Sequence, residues 1–281
     1  MTLLTNKRVV ILGASSGIGW RIAELFAEHG AQQVVAARRV DNLEKLAATT
    51  GAVARRCDIT DHDDVKALVD FAVDTMGGID VAINSAGLNK KSLIRDMTPE
   101  LLEEITKIDF WGAYWFMKHF GAQMADAGNG GSMINITSTT AILVPVQQAA
   151  YSGCKAGINF VTKIAAREYG AQGVRVNALA PTFVPTAMND FGGLAPVDEA
   201  RVDMSAETPT TQAFIRESAL QRVTTVDDCA NVALYLASDL SSSTTGQIIP
   251  VDNGNHLMRL PDSTRKERDV SLRGPDRAGN A

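Results

Sequence analysis

The sequence predicts an α/β protein, a doubly wound parallel sheet with helices on both faces, folded as a single domain. Three observations carry this expectation. Short apolar runs alternate with stretches of helical periodicity from the start of the chain to about residue 250. A glycine-rich turn, Gly13-Ala14-Ser15-Ser16-Gly17-Ile18-Gly19, joins the first apolar run to the first amphipathic stretch. The residues with chemistry to offer stand just after strands, where an open parallel sheet holds its ligands.

The first strand is expected over Arg8–Leu12, where Val9-Val10-Ile11-Leu12 is apolar throughout, as a strand covered on both faces requires. Beyond the turn, Ile22, Ala23, Leu25 and Phe26 share one face of a helix. A strand–turn–helix of this kind aims free backbone N–H groups and the positive end of the helix dipole at one point, which suits a phosphate. Glycine is needed because a Cβ would block the close approach of a pyrophosphate. The spacing is Gly-x-x-x-Gly-x-Gly rather than the Gly-x-Gly-x-x-Gly of the standard dinucleotide fingerprint.

Further strands are expected at Gln33–Ala37, Val53–Asp58, Ile79–Asn84, Gly131–Thr137, Val174–Leu179 and Gln247–Val251. Helical patterns lie between them at Asp63–Met76, Pro99–Ala125, Tyr151–Tyr169 and Val226–Ser238. Right-handed crossovers then give a parallel sheet. Asp58 follows the third strand, Asn84-Ser85-Ala86-Gly87 the fourth, Ser138 the fifth and Pro181-Thr182 the sixth. The Pro99–Ala125 helix carries Phe110, Trp111, Tyr114, Trp115, Phe116 and Phe120, more large groups than one face can bury. Its second apolar face predicts a subunit contact. The domain spans residues 1–255, and Thr182–Leu220 interrupts the alternation as a long insertion. A charged tail, 256–281, is expected to be a solvated, mobile extension, arginine-rich from Arg259 onward.

Composition narrows the function by exclusion. A net charge of -5 gives no reason to expect nucleic acid or an anionic membrane as partner. Cys57, Cys154 and Cys229 lack paired spacing, so no disulfide framework is expected. The histidines His29, His62, His119 and His256 are scattered, and no metal is expected. The chain enters a strand almost at once, without the leader of a signal peptide, and no apolar run approaches membrane-spanning length. A cytoplasmic protein is the simplest reading.

Tyr151 and Lys155 stand four residues apart at the start of a helical segment and share a face. A tyrosine hydroxyl has a pKa near ~10, too high for efficient proton transfer at neutral pH. An adjacent ammonium favours the phenolate and is expected to bring that value down by roughly one to three pH units. Ser138 ends a strand thirteen residues before Tyr151 and can return to the same mouth as a second donor to a carbonyl oxygen.

These residues resemble the short-chain dehydrogenase/reductase family, in its single-domain branch, over residues 6 to 254. The matching motifs are Gly13–Gly19, Asn84–Gly87, the Ser138/Tyr151/Lys155 set, Asn177–Pro181, and Thr245-Gly246-Gln247 through Val251-Asp252-Asn253-Gly254. The resemblance implies a seven-stranded Rossmann-type sheet and NAD(P)(H) as cofactor. It implies Tyr151 as general acid/base, Lys155 holding the nicotinamide ribose and tuning Tyr151, and Ser138 orienting the substrate oxygen. For the cofactor it points to Gly13, Ser15, Ser16, Gly17, Ile18 and Gly19 at the turn. Asp58, Ile59, Asn84, Ala86 and Gly87 are implied after the middle strands, and Pro181, Thr182, Val184 and Thr186 after the sixth. The family's dimer interface uses the Pro99–Ala125 and Tyr151 helices, which implies a homo-oligomer, with a tetramer expected.

Three positions depart from the family pattern. Asp109 stands where the family has an asparagine that helps hold a water in a proton relay, and it brings a second charge toward Lys155. Asp109 is therefore counted with the catalytic set, and an altered pH profile is expected. Thr182 replaces the glycine of a usual Pro-Gly, and Asn253 a glycine of a usual Asp-Gly-Gly, a change that a turn tolerates.

The second strand ends at Ala37, which cannot accept from a ribose 2′-hydroxyl as an acidic residue does. Arg38 and Arg39 follow, and a guanidinium fork suits a 2′-phosphate. NADP(H) is the expected cofactor, with Arg38 its main contact. The family resemblance implies that the insertion forms a lid over the substrate, with Phe183, Val184, Met188, Phe191, Leu194 and Met204 as apolar wall and Arg201 and Arg216 its basic residues. Ile142 through Val146 add apolar surface. The expected function is reduction of a mainly hydrophobic ketone or oxidation of the matching secondary alcohol. The alternatives are an NAD-dependent dehydrogenase of a cyclic or aromatic alcohol, and a cofactor-binding regulator with little turnover.

Overall fold

The computed structural model of the protein describes residues 2–186, 188 and 208–258. Its strands are β1 (Arg8–Leu12), β2 (Gln32–Ala37), β3 (Val53–Arg56), β4 (Val81–Asn84), β5 (Gly131–Ile136), β6 (Val174–Pro181) and β7 (Ile248–Val251). They form one 7-stranded sheet in the order β3-β2-β1-β4-β5-β6-β7, and every neighbouring pair is parallel. The chain leaves β1 toward one edge and returns at β4 to build toward the other. The crevice between the carboxyl ends of β1 and β4 is therefore the topological switch point.

Alternate residues of each central strand face opposite layers, which is why the runs are apolar without interruption. Val9 and Ile11 pack into the layer of α1 (Gly17–Glu28), α2 (Val40–Thr50) and α8 (Val226–Ala237). Val10 and Leu12 pack into the layer of α3 (His62–Met76), α5 (Ala113–Ala127) and α6 (Ala149–Tyr169). Phe26, Phe116 and Phe120 are among the largest fully buried side chains, each contributing about 2–3 kcal/mol by removal from water. Helix ends follow local chemistry. Asp61 caps α3 by accepting from the Asp63 and Asp64 amides, and Thr225 with Asp228 forms a capping box on α8.

The fold matches the expectation, and the differences are local. The expected Pro99–Ala125 helix is α4 (Pro99–Thr106) and α5, joined by a π-helical segment, Lys107–Gly112. A π turn holds an extra residue, so the residues after it are rotated relative to a continuous α-helix. β6 runs to Pro181, which pairs with Val251. α2 and α7 (Pro209–Arg216) add to the helices read from the sequence. Of the insertion wall, Phe191, Leu194, Arg201 and Met204 lie outside the described residues, as does the tail beyond Met258. Before that point the chain turns once more at Asn255–Leu257, and Thr182 Oγ1 donates to Asn255 Oδ1 at 3.0 Å.

Candidate active site

The β1–α1 connection is shaped by what glycine leaves out. Gly13 has φ +89°, and a Cβ there would stand 2.4 Å from the Ala86 amide nitrogen; one on Gly19 would stand 2.4 Å from the Gly13 carbonyl oxygen. The turn thus lies directly on the segment after β4, a contact only glycine permits. Ser16 caps α1 without a side-chain hydrogen bond, so the first-turn N–H groups are not taken up by the cap residue. Arg39, just past β2, donates to Ser15 Oγ at 3.1 Å and to Ser16 Oγ at 2.7 Å. Arg38 beside it is exposed.

Past β4, Asn84 Oδ1 accepts from the Ala86 amide at 3.1 Å, and its Nδ2 donates to Asn135 Oδ1 of the neighbouring strand at 3.5 Å. This buried link sets the course of the Ser85–Gly87 segment. Asp58 Oδ1 accepts from the Thr60 amide and hydroxyl, which folds the residues after β3 into a tight turn beside Ile59.

At the other end of the crevice, Ser138 leaves β5 and Tyr151 and Lys155 stand on one face of α6. Ser138 and Tyr151 line the same cavity, while the Thr140 amide and hydroxyl donate to Ser138 Oγ at 3.2 and 3.0 Å. Lys155 Nζ lies 5.5 Å from the Tyr151 ring centroid and donates to the Ile136 carbonyl at 3.2 Å. Its third partner is Asp109, from the π-helical segment, whose Oδ1 stands 3.0 Å from Lys155 Nζ. The Asp109 side chain is fully buried, and it also accepts from the Leu88 amide at 3.2 Å. The charge that the sequence brings toward Lys155 is therefore a direct, buried ion pair.

This arrangement corrects one electrostatic expectation. Burial pushes the Tyr151 hydroxyl up; the Lys155 cation and the Ser138 hydrogen bond pull it down, but the Asp109 carboxylate pushes it up again, and the net direction is up rather than down. Burial works to lower Lys155, but the Asp109 charge beside it prevails and its pKa is raised. Burial likewise holds Asp109 above its ordinary value against the opposing charge of Lys155.

One cavity of about 1110 Å³ joins the two ends. Gly13, Ser15, Ser16, Gly17 and Ile18 line it, with Arg38, Arg39, Asp58, Ile59, Ala86 and Gly87. Ser138, Tyr151, Lys155, Pro181, Thr182, Val184 and Thr186 line its other half. Gly19, Asn84 and Asp109 stand behind this wall, shaping the turn, the post-β4 segment and Lys155 respectively. Charge is confined to one part of the cavity: apart from Lys155, its charged lining residues are Arg38, Arg39 and Asp58, while Leu88, Leu143, Pro145 and the stacked pair Phe183 and Phe214 (centroids 4.8 Å apart) make the far end apolar. The glycine cradle, the hydroxyls of Ser15 and Ser16 and the two arginines fit a dinucleotide carrying an extra phosphate. Sequence reading missed Asn89, Gln148 and Phe214 as lining residues, since none sits in a recognisable motif. Among the described residues no group of three His, Cys, Asp or Glu side chains is placed to hold a metal ion.

Comparisons with known proteins agree with this geometry. The family model described as enoyl-(acyl carrier protein) reductase matches residues 13–256. The (+)-borneol dehydrogenase 2 of Salvia officinalis is 33% identical over 270 residues, covering 92% of this chain and 93% of that protein. The cis-4-hydroxycyclohexanecarboxylate dehydrogenase of Sinomonas cyclohexanicum is 33% identical over 254 residues, 89% of this chain and 96% of its own. Among solved structures, a short-chain type dehydrogenase/reductase from Mycobacterium marinum superposes with a TM-score of 0.78 at 30% identity, covering 90% of this chain and 96% of that one.

Proposed function

The chain belongs to the short-chain dehydrogenase/reductase family, an oxidoreductase acting on CH–OH and C=O groups, and from that premise we propose an NADP(H)-dependent reductase of mainly hydrophobic ketones that also oxidises the matching secondary alcohols. The observation that carries the reading is the convergence of Ser138, Tyr151 and Lys155 on one cavity that the glycine turn also lines, with Lys155 beside the Tyr151 ring. The cofactor, when bound, supplies or takes the hydride.

The chain's own residues handle the proton. Tyr151 donates its hydroxyl proton to the carbonyl oxygen, and takes it back when the alcohol is oxidised. Ser138, fixed by Thr140, orients that oxygen. Lys155 stabilises the phenolate left behind, and Asp109 holds Lys155 in place. The wall of Leu88, Leu143 and Pro145 excludes water and accepts an apolar body. Two relatives are named for ring alcohols, borneol and a hydroxycyclohexane carboxylate, which supports a ring-sized substrate here.

The preference for NADP(H) rests on Ala37, which offers no acceptor to a 2′-hydroxyl, and on Arg38 and Arg39 at the rim of the cavity. Arg38 is the main contact with the 2′-phosphate, while Arg39 is also engaged with Ser15 and Ser16. Exposed Trp111, Tyr114, Phe160 and Ile164 on α5, α6 and the π segment support assembly as a homotetramer. No helix of the described residues is long and apolar enough to cross a membrane, which is compatible with a cytoplasmic enzyme. A panel of ketones and alcohols with both cofactors, followed at the nicotinamide absorbance, tests the reading. Turnover with NADP(H) is expected, and tighter binding of NAD+ than of NADP+ would overturn the cofactor assignment.

A further inference from the structure

Two polar side chains of the cavity wall have no task in the chemistry above. Asn89 and Gln148 both line the cavity, and the amide oxygen of each is buried with no donor against it. Neither amide nitrogen makes a hydrogen bond to the described residues. Buried amides are normally satisfied, and leaving one unpaired costs its desolvation without return.

Their positions flank the reacting groups. Gln148 is the N-cap residue of α6, three residues before Tyr151 in the first turn of that helix. Asn89 is two residues after Gly87, where a Cβ would stand 3.5 Å from Lys155 Nζ. The two segments are tied together: the Ser92 amide donates to the Gln147 carbonyl at 2.8 Å, and Ser92 and Gln148 form a parallel bridge. The same cavity is lined by the uncharged Leu88, Leu143, Pro145 and the Phe183–Phe214 pair, and Lys155 is spent on Asp109.

We propose that Asn89 and Gln148 read a second, uncharged oxygen on the substrate. Resting on the oxidoreductase reading above, this narrows the substrate class to ring-sized apolar ketones or alcohols that carry a further hydroxyl or carbonyl away from the reacting carbon. A primary amide turned end for end keeps its shape, so it can meet a hydroxyl with its oxygen or a carbonyl with its NH₂ group. Of the cationic lining residues, Lys155 is paired with Asp109, and Arg38 and Arg39 belong to the cofactor end, so a carboxylate is not the group this part of the wall is built for.

The test compares 4-hydroxycyclohexanone with cyclohexanone, in kcat/KM and, by calorimetry, in Kd. The wild type is expected to favour the hydroxy ketone by roughly tenfold in both, the yield of one or two neutral hydrogen bonds. In Asn89→Leu/Gln148→Met, with folding checked by thermal melting, the ratio collapses toward one, and each single variant loses part of it. Equal ratios in the wild type, or a preference that survives in the double variant, would overturn the proposal. Failure of the oxidoreductase reading looks different, since neither ketone nor any member of the wider panel would then be turned over. The calorimetric ratio still decides whether the two amides read the second oxygen.

Discussion

At the scale of the residue, the buried group Ser138, Tyr151, Lys155 and Asp109 is the one proposed to set both the reaction and its pH dependence. Tyr151→Phe removes the transferable proton but little volume, so turnover is expected to fall by roughly 10²–10⁴-fold. NADP+ binding, read by calorimetry, should be nearly unchanged. Alcohol oxidation needs the phenolate, so its kcat/KM rises as pH passes upward through the Tyr151 pKa, which is raised by burial and by Asp109. Asp109→Asn takes away a negative charge and thereby favours the phenolate. The rising limb of the pH–rate profile should therefore move to lower pH, and an unmoved limb would mean that Asp109 does not tune Tyr151. Ala37→Asp places a carboxylate where the 2′-phosphate is proposed to sit. NADP+ affinity is then expected to drop at least roughly tenfold relative to NAD+, since the carboxylate repels the 2′-phosphate and gives the 2′-hydroxyl of NAD+ a charged acceptor. Ser138, Tyr151 and Lys155 were legible in the sequence because each stands at a strand end or on one helix face, whereas Asp109 was legible only through the resemblance to the family pattern. The net direction of the Tyr151 shift was not, because it depends on how deeply Tyr151 is buried and on the 3.0 Å contact between Lys155 and Asp109.

At the scale of the element, the decisive piece is the π-helical segment Lys107–Gly112, which delivers Asp109 to Lys155. Gly112 lets this segment lie on the residues after β3: a Cβ there would stand 2.7 Å from Ile59 Cγ1 and 2.8 Å from the Ile59 carbonyl oxygen. Gly112→Ala must push Ile59 toward the cavity it lines. A loss of roughly 1–3 kcal/mol in stability is expected from overpacking, seen as a lower melting temperature together with weaker cofactor binding. An unchanged melt would show that the two segments are free to separate. In the sequence this region reads as one long helix, since apolar spacing alone does not reveal an extra residue within a turn. The strands were legible to within two residues at most ends because both faces are covered. β6 extends to Pro181 because pairing with Val251, a contact distant in sequence, carries the ladder further.

At the scale of the whole molecule, stability depends on ties between segments far apart in the chain. Arg8 at the start of β1 donates to both carboxylate oxygens of Asp80, just before β4, at 2.9 and 2.6 Å. Burial works to raise the Asp80 pKa, but the hydrogen bonds and charge of Arg8 prevail and hold it below the usual carboxylate range. A depressed folded pKa contributes stability above the unfolded value, near ~4, that is lost as pH falls through the folded one. Asp80→Asn should therefore lower the melting temperature at neutral pH, and the gap to wild type should close in acid. A gap independent of pH would assign the effect to packing instead. The three thiols are all buried. Burial pushes Cys57 up to about 12 and raises Cys154 and Cys229 as well. The native protein should resist alkylation at neutral pH, and rapid labelling would show that the core opens locally.

The amino-acid sequence by itself determined the parallel α/β architecture, the glycine-rich turn between β1 and α1 and the Ser138, Tyr151 and Lys155 set. Each of these is written in local terms: apolar runs, glycines where backbone must approach backbone, and side chains four residues apart on a helix. Only the tertiary structure decided that Asp109 pairs directly with Lys155, that Arg39 reaches the turn serines, and that Asn89 and Gln148 line one cavity with Tyr151. Those contacts join residues from separate strands and helices. Their distances and burial follow from how the layers pack, which no local pattern encodes.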